Sequence, residues 1–142
     1  MTPPIVVCDA NVVIKWFHEE GEQDAAEARA LLTAYADRRA SLVILDLTPY
    51  EVGNALVRGV GVEPAAVATV LEALGDLCPV ITPTRQELGV AARLASDHGF
   101  TFYDAACAAV AQVRGGMAAT MDAALLHAGQ GLTPGDALDR LA

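Results

Sequence analysis

The sequence lacks the marks of several common protein classes. Its three cysteines, at positions 8, 78 and 107, are odd in number and far apart, which argues against a disulfide framework and favours reduced thiols in apolar surroundings. Its three histidines show no His-x-x-x-His spacing, so a zinc site has little support. No apolar run approaches the roughly 18 residues needed to cross a membrane, and no basic region precedes the first apolar run. We therefore expect a cytoplasmic protein with no membrane-spanning segment.

Basic residues are also scarce. Nine Lys and Arg residues stand against eighteen Asp and Glu residues, which gives a net charge of −9. Binding to nucleic-acid phosphates depends on Lys and Arg, so this balance argues against a nucleic-acid partner. Cations bound to several of the carboxylates would reduce the negative charge, and a basic protein partner would offset it.

What the 142 residues do contain is an alternation of short apolar strands with amphipathic helices. Buried strands are predicted at residues 5–8, 42–45, 79–81 and 117–121, with a further edge strand at 132–133. A polar break at residues 18–22 precedes a helix at about 23–39, and further helices are predicted at 48–58, from 63 onward, at 84–98, at 101–113 and at 123–128. This alternation predicts a single α/β domain over residues 1–142, a three-layer α/β/α arrangement with a central parallel sheet.

Four acidic residues are predicted to meet at one edge of this sheet. Asp9 and Asp122 directly follow strands, and Glu51 lies in the helix after the second strand. Asp104 opens a helix that is apolar nearly all round, which places that helix in the centre of the fold. The carboxyl ends of parallel strands form the ligand-binding edge of such sheets, so these four carboxylates are candidates for one site.

Each of these acids also has a purely structural interpretation. Asp9 and Asp122 fit helix N-caps, while Glu51 and Asp104 each stand three residues after a threonine, as in a capping box. The same spacing occurs at Glu87, where nothing suggests catalysis, so capping alone can account for such a pattern. For each acid in isolation the two interpretations are about equally supported. The convergence of all four favours a functional site.

The chemistry of such a cluster points to a divalent cation. Carboxylates packed together repel one another and raise one another's pKa values unless a cation neutralises them. Asp104 has no Lys or Arg in its own apolar segment to do so. Mg²⁺ and Mn²⁺ prefer oxygen ligands of this kind, and an all-carboxylate site that leaves water on the metal suits hydrolysis of a phosphodiester.

Several residues near the acids are candidates for supporting roles. Asn11 and Thr120 each lie two positions from one of the acids, within reach of a carboxylate or a bound water. Arg58 shares a helix face with Glu51 and could meet a phosphate, although a solvated arginine near the helix end is the better-supported interpretation. Five further residues are assigned to the surface by default: Lys15, Trp16, Arg85, Arg93 and Arg114.

Four segments together resemble a known family. They are residues 7–17 (VCDANVVIKWF), 49–56 (PYEVGNAL), 101–106 (TFYDAA) and 119–122 (ATMD). In this order and spacing they are similar to the motifs of PIN-domain ribonucleases, most of all the VapC-type toxins of bacterial and archaeal toxin–antitoxin pairs. The resemblance spans nearly the whole chain.

The resemblance implies a PIN fold, a Mg²⁺- or Mn²⁺-dependent endoribonuclease that acts on RNA, a homodimer, and neutralisation by a VapB-like antitoxin. It implies that the family's acidic quartet falls on Asp9, Glu51, Asp104 and Asp122 and that its hydroxyl or amide positions fall on Asn11 and Thr120. By the same resemblance, the first and third acids contact the metal most directly. One departure is MDAA at residues 121–124, where relatives often carry more polar or basic residues, and this lowers the expected affinity for RNA.

Two other functions are compatible with parts of the pattern. The chain could be a PIN-like module that binds a partner with little or no cleavage, in which case apolar helix faces such as Leu31, Leu32 and Tyr35 would form partner surfaces rather than core. A phosphatase of another Asp-dependent α/β fold is disfavoured, because Asp9 has no Asp-x-Asp partner and no lysine follows in a later strand-end turn.

Overall fold

The computed structural model describes residues 2–18 and 24–142, and its central element is a parallel β-sheet. Within those residues the sheet has four strands: β1 (Ile5–Cys8), β2 (Ser41–Leu45), β3 (Val80–Ile81) and β4 (Met117–Ala119). Their spatial order is β3-β2-β1-β4, and every pairing is parallel. The predicted three-layer α/β/α class with a central parallel sheet is confirmed.

Helices connect the strands and cover the sheet. They are α1 (Ala10–Val13), α2 (Ala25–Ala36), α3 (Thr48–Asn54), α4 (Pro64–Leu77), α5 (Arg85–His98), α6 (Phe102–Val113), α7 (Ala123–His127) and α8 (Pro134–Leu141). A 3₁₀ turn (Ile14–Trp16) follows α1, and a π-helical segment (Ala55–Val60) follows α3. The polar break predicted at residues 18–22 lies, apart from His18, outside the described residues, as does Gln23. Among the helices that are described, none is both long and apolar enough to cross a bilayer.

The sheet separates two apolar cores, because successive strand residues point to opposite faces. On β1, Val6 and Cys8 pack into one core with residues of α1, α2, α3, α4 and α8. Val7 packs into the other core with residues of α5, α6 and α7. Burying each valine or leucine of this kind stabilises the fold by roughly 1.5–3 kcal/mol. The two cores hold β1, and therefore Asp9 at its end, rigidly at the centre of the molecule.

Helix α6 is the most deeply buried helix of the second core. Residues 105–111 are all buried, as predicted for a helix that is apolar nearly all round. Five of these seven residues are alanine, and such small side chains let the helix approach β1 closely. The Cys107 thiol donates to the Val7 carbonyl across this contact, with 3.8 Å between sulfur and oxygen. The N-terminus of α6, with Asp104, is thereby fixed relative to the end of β1.

Helix α3 begins differently from the prediction, which placed Thr48 as its N-cap. Leu47 occupies the cap position, and Thr48 is the first helical residue and is buried. The Glu51 N–H donates to the Leu47 carbonyl at 3.3 Å, so no capping box forms between Thr48 and Glu51. The helical path also runs beyond Arg58 through the π-helical segment and ends at Gly61, whose φ of 70° suits glycine.

Two of the five residues assigned to the surface are buried instead. Trp16 is 7% exposed, and its Nε1 donates to the Ala28 carbonyl at 2.9 Å. Lys15 is 5% exposed. The cause is the 3₁₀ turn after α1, which has three residues per turn and therefore changes which side chains face inward. The other three, Arg85, Arg93 and Arg114, are exposed as predicted. Arg114 also forms an ion pair with Glu87, its Nε lying 2.7 Å from Oε2.

This ion pair also explains a wrong prediction for α5. The apolar periodicity of this helix predicts a buried face made of Leu88, Ala91, Ala92 and Ala95. Ala91 is buried as predicted, but Leu88 and Ala92 are exposed, and Glu87 and Val90 are buried instead. Glu87 turns inward because its carboxylate accepts the Thr84 N–H in a complete capping box and also accepts Arg114. The inward turn of Glu87 sets the buried face of the whole helix.

The C-terminal region holds two differences from the prediction. Strand β4 ends at Ala119 rather than at residue 121, and the expected edge strand is a single bridge between Ala119 and Leu132. Helix α8 was not predicted, although its start carries a recognisable signal: the Thr133 hydroxyl accepts the Asp136 N–H, and proline occupies the first helical position.

Candidate active site

Asp9 lies where β1 ends, and both its backbone and its side chain are fixed. Its N–H donates to the Ala119 carbonyl at 2.9 Å, which continues the pairing of β1 with β4. Its Oδ1 accepts the Ala10 N–H at 2.9 Å, as expected for the residue that precedes α1. The residue is only 7% exposed. The predicted capping role is therefore present, and it occupies one of the two carboxylate oxygens.

The second oxygen of Asp9 belongs to a network that joins β1 to the turn after β4. The Thr120 hydroxyl donates to Asp9 Oδ2 at 2.8 Å. Asn11 Nδ2 lies 3.5 Å from Asp9 Oδ2 and 3.4 Å from Thr120 Oγ1, and Asn11 Oδ1 accepts the Met121 N–H at 3.0 Å. Asn11 and Thr120 thus orient the Asp9 carboxylate, with Thr120 making the shorter contact.

Asp122 is connected to the same network through its backbone. Its N–H donates to Thr120 Oγ1 at 3.0 Å, and its own Oδ2 accepts the Leu125 N–H at 2.9 Å. Asp122 is therefore the N-cap of α7, as one of its two predicted roles required. The capping contact holds the carboxylate in a fixed position beside the turn that carries Thr120.

Glu51 and Asp104 are placed by the first turns of α3 and α6. The Asp104 N–H donates to the Thr101 hydroxyl at 3.1 Å, but the Thr101 N–H makes no reciprocal bond to the Asp104 carboxylate of the kind that completes the capping box of Thr84 and Glu87. Neither carboxylate, then, is engaged in a capping box. Both are only partly exposed, so their charges are incompletely solvated.

The electrostatics join the four acids into one cluster. Burial raises the pKa of Asp9, and the charges of Asp104 and Asp122 raise it further, while hydrogen bonds from Thr120 and Ala10 oppose the shift. Burial, aided by the charges of Asp9 and Asp104, raises the pKa of Glu51 to about 7. Burial and the charge of Asp122 also raise the pKa of Asp104, against the hydrogen bond from Thr101. Each acid thus interacts with at least one other.

Three of these carboxylates border a single cleft of about 650 Å³, which we call the acidic cleft. Asp9, Glu51 and Asp104 line it, together with Asn11, and Asp122 lies outside its lining. Sequence reasoning missed other lining residues that the local helical geometry brings there: Lys15, His18, Gly59 and Val60. Lys15 lies in the 3₁₀ turn, His18 follows that turn, and Gly59 and Val60 lie in the π-helical segment. Neither the turn nor the segment leaves a clear periodic signal in the sequence.

The donor set fits a hard divalent cation by its chemistry. Carboxylate oxygens that share a cleft are the ligands of Mg²⁺ and Mn²⁺, and their raised pKa values indicate that the negative charge is incompletely balanced. Across residues 2–18 and 24–142, no three Asp, Glu, His or Cys side chains are close enough to form a complete ligand set. Water ligands, which Mg²⁺ usually retains, would have to complete the coordination.

The sequence matches the model of one protein family. The model of the PIN domain matches residues 6–131, which contain all four acids. No sequence among the curated proteins matches the chain.

Three solved structures are similar over nearly their full length. PAE2754 from Pyrobaculum aerophilum is 28% identical with a TM-score of 0.71, and the match covers 99% of this chain and 90% of that one. A toxin–antitoxin complex from Klebsiella pneumoniae is 18% identical with a TM-score of 0.64, covering 91% and 97%. VapC20 of Mycobacterium tuberculosis, described as a toxin that cleaves the sarcin–ricin loop, is 21% identical with a TM-score of 0.66, covering 87% and 95%. Because the last two structures are only 18% and 21% identical to this chain, they show that the fold is shared and nothing further.

Proposed function

The chain belongs to the PIN domain family, and on this basis we propose that it is a metal-dependent endoribonuclease, the toxin of a type II toxin–antitoxin pair. The observation that carries the proposal is the convergence of Asp9, Glu51 and Asp104 on one cleft, with Asp9 held by Thr120. Carboxylates that converge in a cleft beside the ends of parallel strands suit hydrolysis of a phosphodiester.

The site residues would have two roles, metal binding and orientation of the metal ligands. Asp9 and Asp104 would hold Mg²⁺ or Mn²⁺ most directly, and Glu51 and Asp122 would contribute through water molecules or a second ion. A cation bound there would supply positive charge at the phosphate and lower the pKa of an attacking water. Asn11 and Thr120 would keep the Asp9 carboxylate in its orientation, since both contact its Oδ2. Their role is that of the outer-shell partners which metal ligands commonly need.

The partners follow from the same proposal. The Klebsiella pneumoniae structure with this fold is a toxin–antitoxin complex, which supports a VapB-like antitoxin that neutralises this chain. A net charge of −9 suits a basic protein segment as the neutralising partner. We further propose a homodimer and RNA as the substrate.

A cleavage assay tests the proposed activity. The chain, freed of any antitoxin, is incubated with a panel of structured RNAs in Mg²⁺, in Mn²⁺ and in a chelator. We expect internal cleavage of at least one RNA with either metal and none in the chelator. Absence of cleavage under every metal condition would refute the nuclease and favour the alternative, a PIN-like module that binds a partner. Cleavage that persists in the chelator would refute the metal requirement.

A further inference from the structure

Two large aromatic side chains lie unusually far out in solvent next to the acidic cleft. Tyr50 is 81% exposed and Tyr103 is 64% exposed. Each directly precedes a site acid in the sequence: Tyr50 comes before Glu51 in the first turn of α3, and Tyr103 before Asp104 in the first turn of α6. Packing of the core does not account for either ring.

The two rings face a common space. Together with Leu47, Glu51 and Asn54 they line a groove of about 430 Å³, which we call the tyrosine groove. Glu51 and Asn54 also line the acidic cleft, so the groove and the cleft share a wall. A molecule bound in the groove would therefore extend directly toward the acids.

The chemistry of the groove suits a nucleobase. Aromatic side chains stack on the faces of unpaired bases, a contact that tolerates any base because every base has a π-face. The Asn54 amide can both donate to and accept from a base edge. A chain with a net charge of −9 has few Lys and Arg side chains available for phosphate contacts, so base stacking is the more available source of affinity for RNA.

We propose that Tyr50 and Tyr103 form a stacking platform that holds an unpaired base of the RNA substrate beside the phosphate to be cleaved. The inference rests on the proposed ribonuclease function and adds the residues that position the substrate. A base is favoured over a protein segment or a second copy of the chain because the groove is small and opens onto the acids. Tyr50 and Tyr103 are positioning residues and take no part in the chemical step.

Binding of a short single-stranded RNA that carries one 2-aminopurine tests the platform. The titration uses the full chain with Asp9→Asn, so that the RNA stays intact, and compares Tyr50→Ala and Tyr103→Ala with Tyr50→Phe and Tyr103→Phe. Loss of a ring is expected to weaken binding by about 5- to 100-fold and to abolish the quenching of 2-aminopurine, whereas phenylalanine retains both. Phe102→Leu is the matched control, because Phe102 is 45% exposed in the same helical turn and lies outside the groove lining.

Salt dependence separates stacking from charge. The slope of log K against log salt is expected to be unchanged in the alanine variants, whereas loss of a phosphate contact would reduce it by about 1. In the chain with an intact Asp9, Tyr50→Ala and Tyr103→Ala should raise KM and leave kcat nearly unchanged.

Several results would overturn the platform. The platform is refuted if both alanine variants bind RNA within about twofold of the parent's affinity. It is also refuted if the alanine and phenylalanine substitutions weaken RNA binding equally. A change in sedimentation without a change in RNA binding would assign the groove to a second copy of the chain. Cleavage by the unmodified chain is measured in parallel. If the unmodified chain cleaves RNA and the alanine variants bind it normally, the platform alone is rejected. If RNA binding depends on the rings but the unmodified chain does not cleave, the ribonuclease function alone is rejected.

Discussion

Replacing Glu51 with glutamine is expected to stabilise the metal-free protein at neutral and basic pH. Burial and the charges of Asp9 and Asp104 raise the pKa of Glu51 from 4.5 to about 7. Between those two values the native state binds more protons than the unfolded chain, so the free energy of unfolding falls as the pH rises through this window. Glutamine keeps the shape of the side chain and removes the charge that is costly to ionise.

The magnitude follows from the size of the shift. A pKa shift from 4.5 to about 7 corresponds to at most about 3.4 kcal/mol, and because Glu51 is partly exposed, solvent screening reduces the expected effect to about 1–2 kcal/mol. Urea unfolding in the presence of a chelator is the appropriate assay. Glu51→Gln should exceed the parent by this amount near pH 8 and match it near pH 5, where Glu51 is already protonated.

The control is Glu72→Gln, which neutralises an exposed carboxylate on α4 outside the acidic cleft. It should change the free energy of unfolding by less than about 0.5 kcal/mol at either pH. A gain for Glu51→Gln that is equal at both pH values, or no gain near pH 8, would refute the argument that Glu51 is held in an unfavourable charged environment.

Three other perturbations have defined outcomes. Mn²⁺ at millimolar concentration should raise the melting temperature of the parent more at pH 8 than at pH 6, since ionised carboxylates bind it, and an equal rise at both pH values would contradict this. Gly131→Ala should weaken Mn²⁺ binding measured by calorimetry, because a methyl group there would lie 2.6 Å from Thr120 Cγ2 and displace the hydroxyl that holds Asp9. Gly89→Ala is the control, because a methyl group there would meet no atom within 4 Å beyond the adjacent residues and backbone of its own helix. Glu87→Gln should lower the free energy of unfolding by about 1–3 kcal/mol near pH 7 by breaking the ion pair with Arg114. The hydrogen bond from Arg114 is the main cause of the lowered pKa of Glu87, so the ion pair stabilises the fold above the ordinary carboxyl pKa and ceases to do so as the pH falls. If urea unfolding shows that Glu87→Gln lowers the free energy of unfolding near pH 3 as much as near pH 7, the assignment is contradicted.

Local apolar runs were enough to predict the sheet and its central helix. Four strands and the buried α6 follow from the length and periodicity of those runs, because each signal lies within one segment. The parallel pairing followed from the alternation of strands with helices, whereas the spatial order of the strands was not predicted. The position of Asp9 at the end of β1 could likewise be predicted from a signal within one segment. Placing the acids along one edge then needed only the rule that strand-to-helix turns of a parallel sheet lie together.

What the sequence left open depends on contacts between distant positions. The hydrogen bond from Thr120 to Asp9 joins residues 111 positions apart, and the pairing of Arg114 with Glu87 joins residues 27 apart. The inward position of Lys15 depends on a single 3₁₀ turn, which periodicity does not reveal. No local pattern contains such information, because the partner that decides the outcome lies elsewhere in the chain.

The most direct test of the central claim is the rate of metal-dependent RNA cleavage after substitution of the acids that would hold the metal. Asp9→Asn and Asp104→Asn are compared with Asp76→Asn, an exposed aspartate on α4 outside the acidic cleft. Both site variants should lose at least about 100-fold in kcat/KM with a retained fold, since loss of even an outer partner of a metal ligand commonly costs 10- to 100-fold, and the control should cleave at the parent's rate. Undiminished cleavage by Asp9→Asn and Asp104→Asn would contradict the claim and locate the activity elsewhere.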